Sequence, residues 1–167
     1  IYTLSLHDAL PIYELEIRPV KRRGEVAGMK GYFDGASRGN PGEAGAGACL
    51  VDEDDNVVWE RSQYLGKKTN NEAEYMGLLL LLAEAKARGI PELEIYGDSK
   101  LVICQVRKEW KINLPHLKEL AERVWKIMEG MTVRLAWVPR DHNKRADSLS
   151  NRGIDEVRRG RAAPDGV

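Results

Sequence analysis

The chain has no net charge to announce a partner: 26 Lys and Arg balance 26 Asp and Glu over 167 residues. Nucleic-acid binders often show a basic excess, so global charge gives that class no support. Cysteine is scarce. Cys49 and Cys104 lie far apart in apolar stretches, form no CxxC pair and have no histidine at metal-ligand spacing. That excludes a disulfide scaffold and a thiolate metal site, and fits buried free thiols in a reducing compartment. Long apolar runs are also missing. The longest, Met76 to Ala83, is far shorter than the roughly 20 residues a membrane span needs, and the first residues lack the basic flank of a signal peptide. A soluble, cytoplasmic, monomeric protein is expected, long enough to bury the core of one domain.

Residues 1–28 differ from the rest. Pro11 and Pro19 interrupt short apolar pieces, and Lys21-Arg22-Arg23 leads into Gly24 and Gly28, so a poorly packed leader, not native to the domain, is expected. From Met29 the pattern sharpens. Lys30 to Phe33 reads as a strand ending at Asp34, followed by a stretch, Gly35 to Gly42, too rich in turn residues for helix or central strand. Ala44 to Val51 and Val57 to Leu65 read as strands around the acidic turn Asp52 to Asn56. Asn70 or Asn71 caps a helix to about Arg88, stopped by Gly89 and Pro91, and Leu93 to Tyr96 is a buried strand ending at Gly97-Asp98. Helical periodicity covers Ser99 to Val106 and Leu117 to Met128, broken at Asn113-Leu114-Pro115. Thr132 to Val138 is the last strand, and a helix from Arg145 to Asn151 stops at Gly153. Beyond it, Arg158 to Val167 is charged and expected to fray.

This α/β order allows the first and fourth strands to lie parallel, joined by a helical crossover, and ligands gather at the carboxyl ends of such strands. If those two strands are neighbours, Asp34 and Asp98 face one another across the same crevice. Two carboxylates held close repel, and one stays protonated unless a divalent cation lies between them; hard oxygen ligands suit magnesium or manganese. Each aspartate alone has a local explanation, as a turn or helix N-cap residue. So has Glu74: with Asn71 as N-cap it would complete a capping box. Glu72 competes for that job, and two residues along a helix rotate about 200°, so both cannot enter one crevice. Asp147, in the first turn of the last helix, is favoured there by the helix dipole whatever its function.

Other features divide in the same way. Between residues 99 and 126, Lys100, Arg107, Lys108, Lys111, Lys118, Arg123 and Lys126 outnumber Glu109, Glu119 and Glu122. This is either a phosphate-facing patch or a set of solvated helix faces. Trp110 offers a stacking surface, against the plainer expectation of a packed helix-end aromatic. The run Leu78 to Leu82 is apolar all round and expected in the core. GKKT at 66–69 is not a phosphate loop, because Arg61 stands where the required glycine would be. No Ser-His-Asp or Cys-His arrangement offers a protein nucleophile.

Four segments now bear on one another: FDGASRGNPGEAGAG at 33–47, TNNEAEY at 69–75, GDSKLV at 97–102 and WVPRDHNKRAD at 137–147. In order and separation they resemble the catalytic segments of type 1 ribonuclease H over about residues 29–155. The resemblance implies an α/β ribonuclease H-like fold, a mixed five-stranded sheet with three antiparallel strands plus two parallel ones, flanked by helices. It makes 29–155 the domain and 156–167 a tail. It also implies a metal site of Asp34, Glu74, Asp98 and Asp147, choosing Glu74 over Glu72, with two Mg2+ ions for which Mn2+ can substitute. The implied reaction is endonucleolytic hydrolysis of the RNA strand of an RNA–DNA hybrid. Two ions about 4 Å apart bind the scissile phosphate, leaving 5′-phosphate and 3′-hydroxyl ends.

By the same resemblance, Gly35, Ala36, Ser37, Asn40, Asn70 and Lys100 contact the hybrid, where the 2′-hydroxyl distinguishes RNA. Thr69 joins Asn40 in gripping a DNA-strand phosphate. Asn40 and Asn70 equally suit turn and cap roles. His142 takes the place of a mobile histidine that helps product leave, or is an exposed histidine in a short loop. A long basic protrusion between the helical segments is missing, and nothing in residues 1–28 resembles a hybrid-binding domain. Weaker, more salt-sensitive binding is expected.

Overall fold

In the computed structural model, which describes residues 28–162, five strands form one mixed sheet in the order β3-β2-β1-β4-β5. Strands β1 (Met29–Gly39), β2 (Gly42–Val51) and β3 (Val57–Lys68) make an antiparallel meander. Strands β4 (Glu92–Gly97) and β5 (Thr132–Trp137) extend it in parallel from β1. This is the three-plus-two sheet expected. Helix α1 (Asn70–Ala87) is the crossover from β3 to β4; α2 (Lys100–Val106) and α3 (Pro115–Met128) connect β4 to β5. After a 3-10 turn at Arg140–His142, α4 (Lys144–Ala162) closes the domain. Apart from Gly28, the leader expected over residues 1–28 lies outside the described residues, as do residues 163–167 of the tail.

Side chains alternate across a strand, and the two sheet faces carry different helices. Helix α1 lies on one face. There Leu78, Leu79, Leu81 and Leu82 pack with Phe33, Leu50, Ile95, Val124 and Leu135 in the main core, as the all-apolar run requires. Helix α3 adds Leu117, Ala121, Val124 and Met128, one buried stripe at helical spacing. On the other face α4 crosses β2 and β3 on glycines. A Cβ on Gly47 would sit 2.5–2.6 Å from Ala146, Leu149 and Ser150. Cys49 and Cys104 are buried and unpaired, and among the described residues no helix is long and apolar enough to cross a membrane.

Several boundaries correct the sequence reading. The stretch Gly35 to Gly42 is not a loop: β1 runs to Gly39, paired with β2 as far as Gly39↔Gly42. Its neighbour on the other side, β4, ends at Gly97 opposite Phe33. From Asp34 onward β1 therefore has one partner, and small, turn-prone residues are tolerated there. Gly153 does not end α4, which continues to Ala162. Its missing side chain serves contact instead, since a Cβ there would come within 2.8–3.0 Å of the Gln63 and Tyr64 backbone. Nor does the segment beyond Arg158 fray at its start: Arg158 pairs with Glu43 at 2.7 Å, and Arg161 reaches Glu43 and Tyr64. Trp110 is not packed; it is 50% exposed, as is Leu114.

Candidate active site

Strand register builds the first half of the site. Phe33 faces Gly97 where the parallel ladder between β1 and β4 stops, so the next residue of each chain, Asp34 and Asp98, opens into the gap beyond. Asp34 does not end its strand as expected, but it ends the parallel pairing, which has the same consequence. The Gly35 N–H donates to Asp34 Oδ1 at 2.9 Å. Asp98 is held from behind, its carbonyl accepting from Trp137 Nε1 at 3.0 Å. It is not a cap: Ser99 caps α2 by accepting from the Val102 N–H.

Glu74 arrives from α1. The cap of that helix is Thr69, neither Asn70 nor Asn71, and Glu72 completes the capping box. Glu74 is thereby released from the capping role and turns inward, 5% exposed. Two glycines let it come close. A Cβ on Gly35 would fall within the backbone of Ala73 and Glu74, and one on Gly77 would lie 2.5 Å from the Asp34 carbonyl oxygen. Backbone thus meets backbone where strand and helix cross. One carboxylate oxygen from each of Asp34, Glu74 and Asp98 lies within 4.8 Å of the others.

Asp147, in the first turn of α4, lines the same cleft of about 580 Å³. It stands on the wall, where Arg140 Nη2 and Asn151 Nδ2 each lie 3.4 Å from its Oδ1. Gly35, Ala36, Ser37 and Asn70 also line the cleft. Asn40 sits at the β1–β2 turn and accepts from the Asn70 N–H at 3.3 Å, which brings it beside Thr69. Ser37 Oγ is bonded to the Lys68 carbonyl at 2.8 Å. Lys100 lies over the ring of Trp137, itself part of the cleft wall. His142 lies elsewhere, lining a separate cavity of about 370 Å³ with Lys30, Tyr32 and Cys49.

Sequence reasoning passed over Arg140, Trp137, Asn143 and Asn151. Asn143 is 1% exposed and donates from Nδ2 to the Phe33 carbonyl at 2.9 Å, pinning the start of α4 to β1 next to Asp34. Its carbonyl also accepts from the Asp147 N–H at 3.1 Å. An asparagine directly before a helix start was the available signal, since that residue type favours the position, although its side-chain oxygen caps no helix N–H here. Arg140 offered none beyond a charge in a polar loop.

The electrostatics describe a site short of positive charge. Burial, reinforced by Asp98, pushes Asp34 up to about 7 from 3.8, against a lowering hydrogen bond to Glu74. Burial and the Asp34 charge raise Glu74 well above the carboxylate range, and burial raises Asp98. Glu74 Oε2 is buried with no hydrogen-bond partner, although such an atom is costly to leave unpaired. An orphaned hard oxygen beside two further carboxylates matches the donor set of a divalent cation such as Mg2+ or Mn2+.

Comparison with known proteins agrees with this geometry. A family model described as reverse transcriptase-like matches residues 32–153. The chain is 41% identical over 127 residues to ribonuclease HI of Halobacterium salinarum, covering 75% of this chain and 64% of that protein. It is 39% identical over 132 residues to a bifunctional protein of Mycobacterium tuberculosis, covering 78% of this chain but 36% of that one. The match therefore spans under two thirds of either relative. Among solved structures, LC11-RNase H1 in complex with an RNA/DNA hybrid superposes with a TM-score of 0.74 at 36% identity, covering 77% of this chain and 98% of that one. Sheet order, the meeting of Asp34, Glu74 and Asp98, and these likenesses agree: the chain belongs to the type 1 ribonuclease H family.

Proposed function

We propose that the protein hydrolyses the RNA strand of RNA–DNA hybrids endonucleolytically, leaving 5′-phosphate and 3′-hydroxyl ends, with Asp34, Glu74, Asp98 and Asp147 as ligands of two Mg2+ ions. The observation that carries this reading is the convergence of three buried or half-buried carboxylates, one with an orphaned oxygen, where the parallel pairing of β1 and β4 ends. When bound, such ions supply Lewis acidity to the scissile phosphate and both reacting oxygens.

The chain's own residues do the rest. Asp34 and Glu74 are held rigidly by the glycine crossing, so the site is shaped before substrate arrives. Asn143 fixes β1 at Phe33, behind them, and Asp147 can adjust on the open wall. Arg140, with its side chain 79% exposed, partly neutralises Asp147 and faces the approaching phosphates. Gly35, Ala36, Ser37 and Asn70 offer small side chains and amides to the RNA strand, where close approach reads the 2′-hydroxyl. Asn40 and Thr69 flank the N-terminus of α1, which suits a DNA-strand phosphate.

The test is cleavage of a hybrid labelled separately on each strand, with Mg2+ present. The expected result is RNA-strand products with 5′-phosphates and an intact DNA strand. Asp34→Asn should lower the rate by about 100-fold or more with little loss of fold. An intact RNA strand, or equal cutting of duplex DNA, would overturn the proposal.

A further inference from the structure

A polar thread runs through the core beneath the cleft. Tyr75, the residue after Glu74, is fully buried, and its hydroxyl donates to Gln105 Oε1 at 2.8 Å. Gln105 is itself 5% exposed, and its Nε2 donates to the Lys111 carbonyl at 3.4 Å. Buried polar groups are tolerated only when paired, and an apolar pair of the same shape would serve stability equally well. Energetics alone therefore do not account for a hydroxyl and an amide among leucines.

What the thread joins is more informative. One end is the turn of α1 that carries Glu74. The other is the loop 107–114, which exposes Trp110 and Leu114, with Lys111 next in sequence to Trp110 and the Lys108 ammonium over the Trp125 ring. The first half of that loop is fixed close to α2. Lys108 adopts a left-handed φ of 62°, and the Glu109 and Trp110 N–H groups donate to the Cys104 carbonyl at 2.9 and 3.2 Å. Immediately past Trp110, the backbone at Lys111 is tied down by Gln105. Helix α2 spans about 10 Å from the Asp98 end to this loop, a separation that a single bound duplex bridges. Aromatic faces beside cations suit a nucleic-acid strand by stacking and charge.

Resting on the reading that this protein binds RNA–DNA hybrids, we propose that Gln105, with Tyr75, is a positioning residue for substrate. It ties the Trp110 loop to the helix that carries Glu74, so that the exposed aromatic and the carboxylates meet one hybrid in register. Gln105 touches no substrate and acts through Trp110.

The experiment measures the affinity of a fluorescent hybrid in chelator, and separately kcat and KM with Mg2+, for the wild type, Gln105→Leu, Trp110→Ala and the double variant. Gln105→Leu is expected to weaken binding and raise KM by roughly 10-fold, within the range for losing one aromatic–base stack, while kcat stays within about twofold. In the Trp110→Ala background the same substitution should add nothing, since the two act on one interaction. Tyr75→Phe keeps the core volume and should shift binding in the same direction, so it replaces Gln105→Leu if that variant does not fold. Unchanged affinity, an effect that persists in full without Trp110, or a fall in kcat with affinity intact would overturn the proposal. Binding in chelator needs no catalysis. A chain that binds hybrid without cutting it would thus defeat the ribonuclease reading alone, whereas one that does not bind would defeat both.

Discussion

Asp34 concentrates the electrostatic problem of the site. Buried beside Glu74 and Asp98, its carboxyl is pushed up to about 7, and in the absence of cations the folded chain holds protons that the unfolded chain releases at ordinary carboxylate values. A raised pKa contributes stability that is fully present below the unfolded value near 3.8 and is lost as pH rises through about 7. In chelator, thermal unfolding should therefore move to lower temperature between about pH 5 and pH 8, and Asp34→Asn should flatten part of that slope. A melting temperature that rises across the same interval would contradict the proposed electrostatics. At this scale the sequence was partly legible. The shared crevice of Asp34 and Asp98 followed from topology, although Asp34 lies within β1 and not at its end, whereas Glu74 and Asp147 needed motif resemblance, because a helical carboxylate near an N-terminus satisfies local rules without any site. Asn143 escaped because its role comes from a long-range contact with β1, and Arg140 because only the folded chain sets its charge in the cleft wall.

The elements meet where side chains are missing. Gly35 and Gly77 bring α1 onto β1, and Gly45, Gly47 and Gly153 bring α4 onto β2 and β3. Gly77→Ala should force these backbones apart, costing about 1–3 kcal/mol as overpacking. Hybrid cleavage should fall by more than that loss of stability explains, since Glu74 moves with the helix. Urea unfolding read beside cleavage at a temperature where the variant stays folded checks both; full activity would show that the close crossing is dispensable. This layer was least visible in the sequence. Glycine reads as a breaker, so Gly35 to Gly42 looked like loop and Gly153 like a helix stop, although close packing was its use at Gly35 and Gly153. The cap of α1 was misplaced by one or two residues because Thr69, Asn70 and Asn71 all suit the position, and the choice of Thr69 depends on Glu72 closing the box.

For the whole molecule, the alternation of strands and helices allowed β1 and β4 to lie parallel, because crossover connections leave few topologies, while the mixed five-stranded sheet was foreseen from the family resemblance. Its balanced charge remains the feature least expected of the proposed action on nucleic acid. The fold distributes this charge locally, gathering acidic groups within the cleft and setting Arg140 in its wall, with Lys100 over the Trp137 ring that lines it. The central proposition is that Asp34, Glu74, Asp98 and Asp147 form a divalent-cation site. Crystals grown with manganese and measured for anomalous scattering test it most directly. Two anomalous peaks are expected in the cleft, shared among these four side chains, with Glu74 Oε2 no longer unpartnered. An empty cleft at saturating manganese, or ions held by other residues, would contradict it.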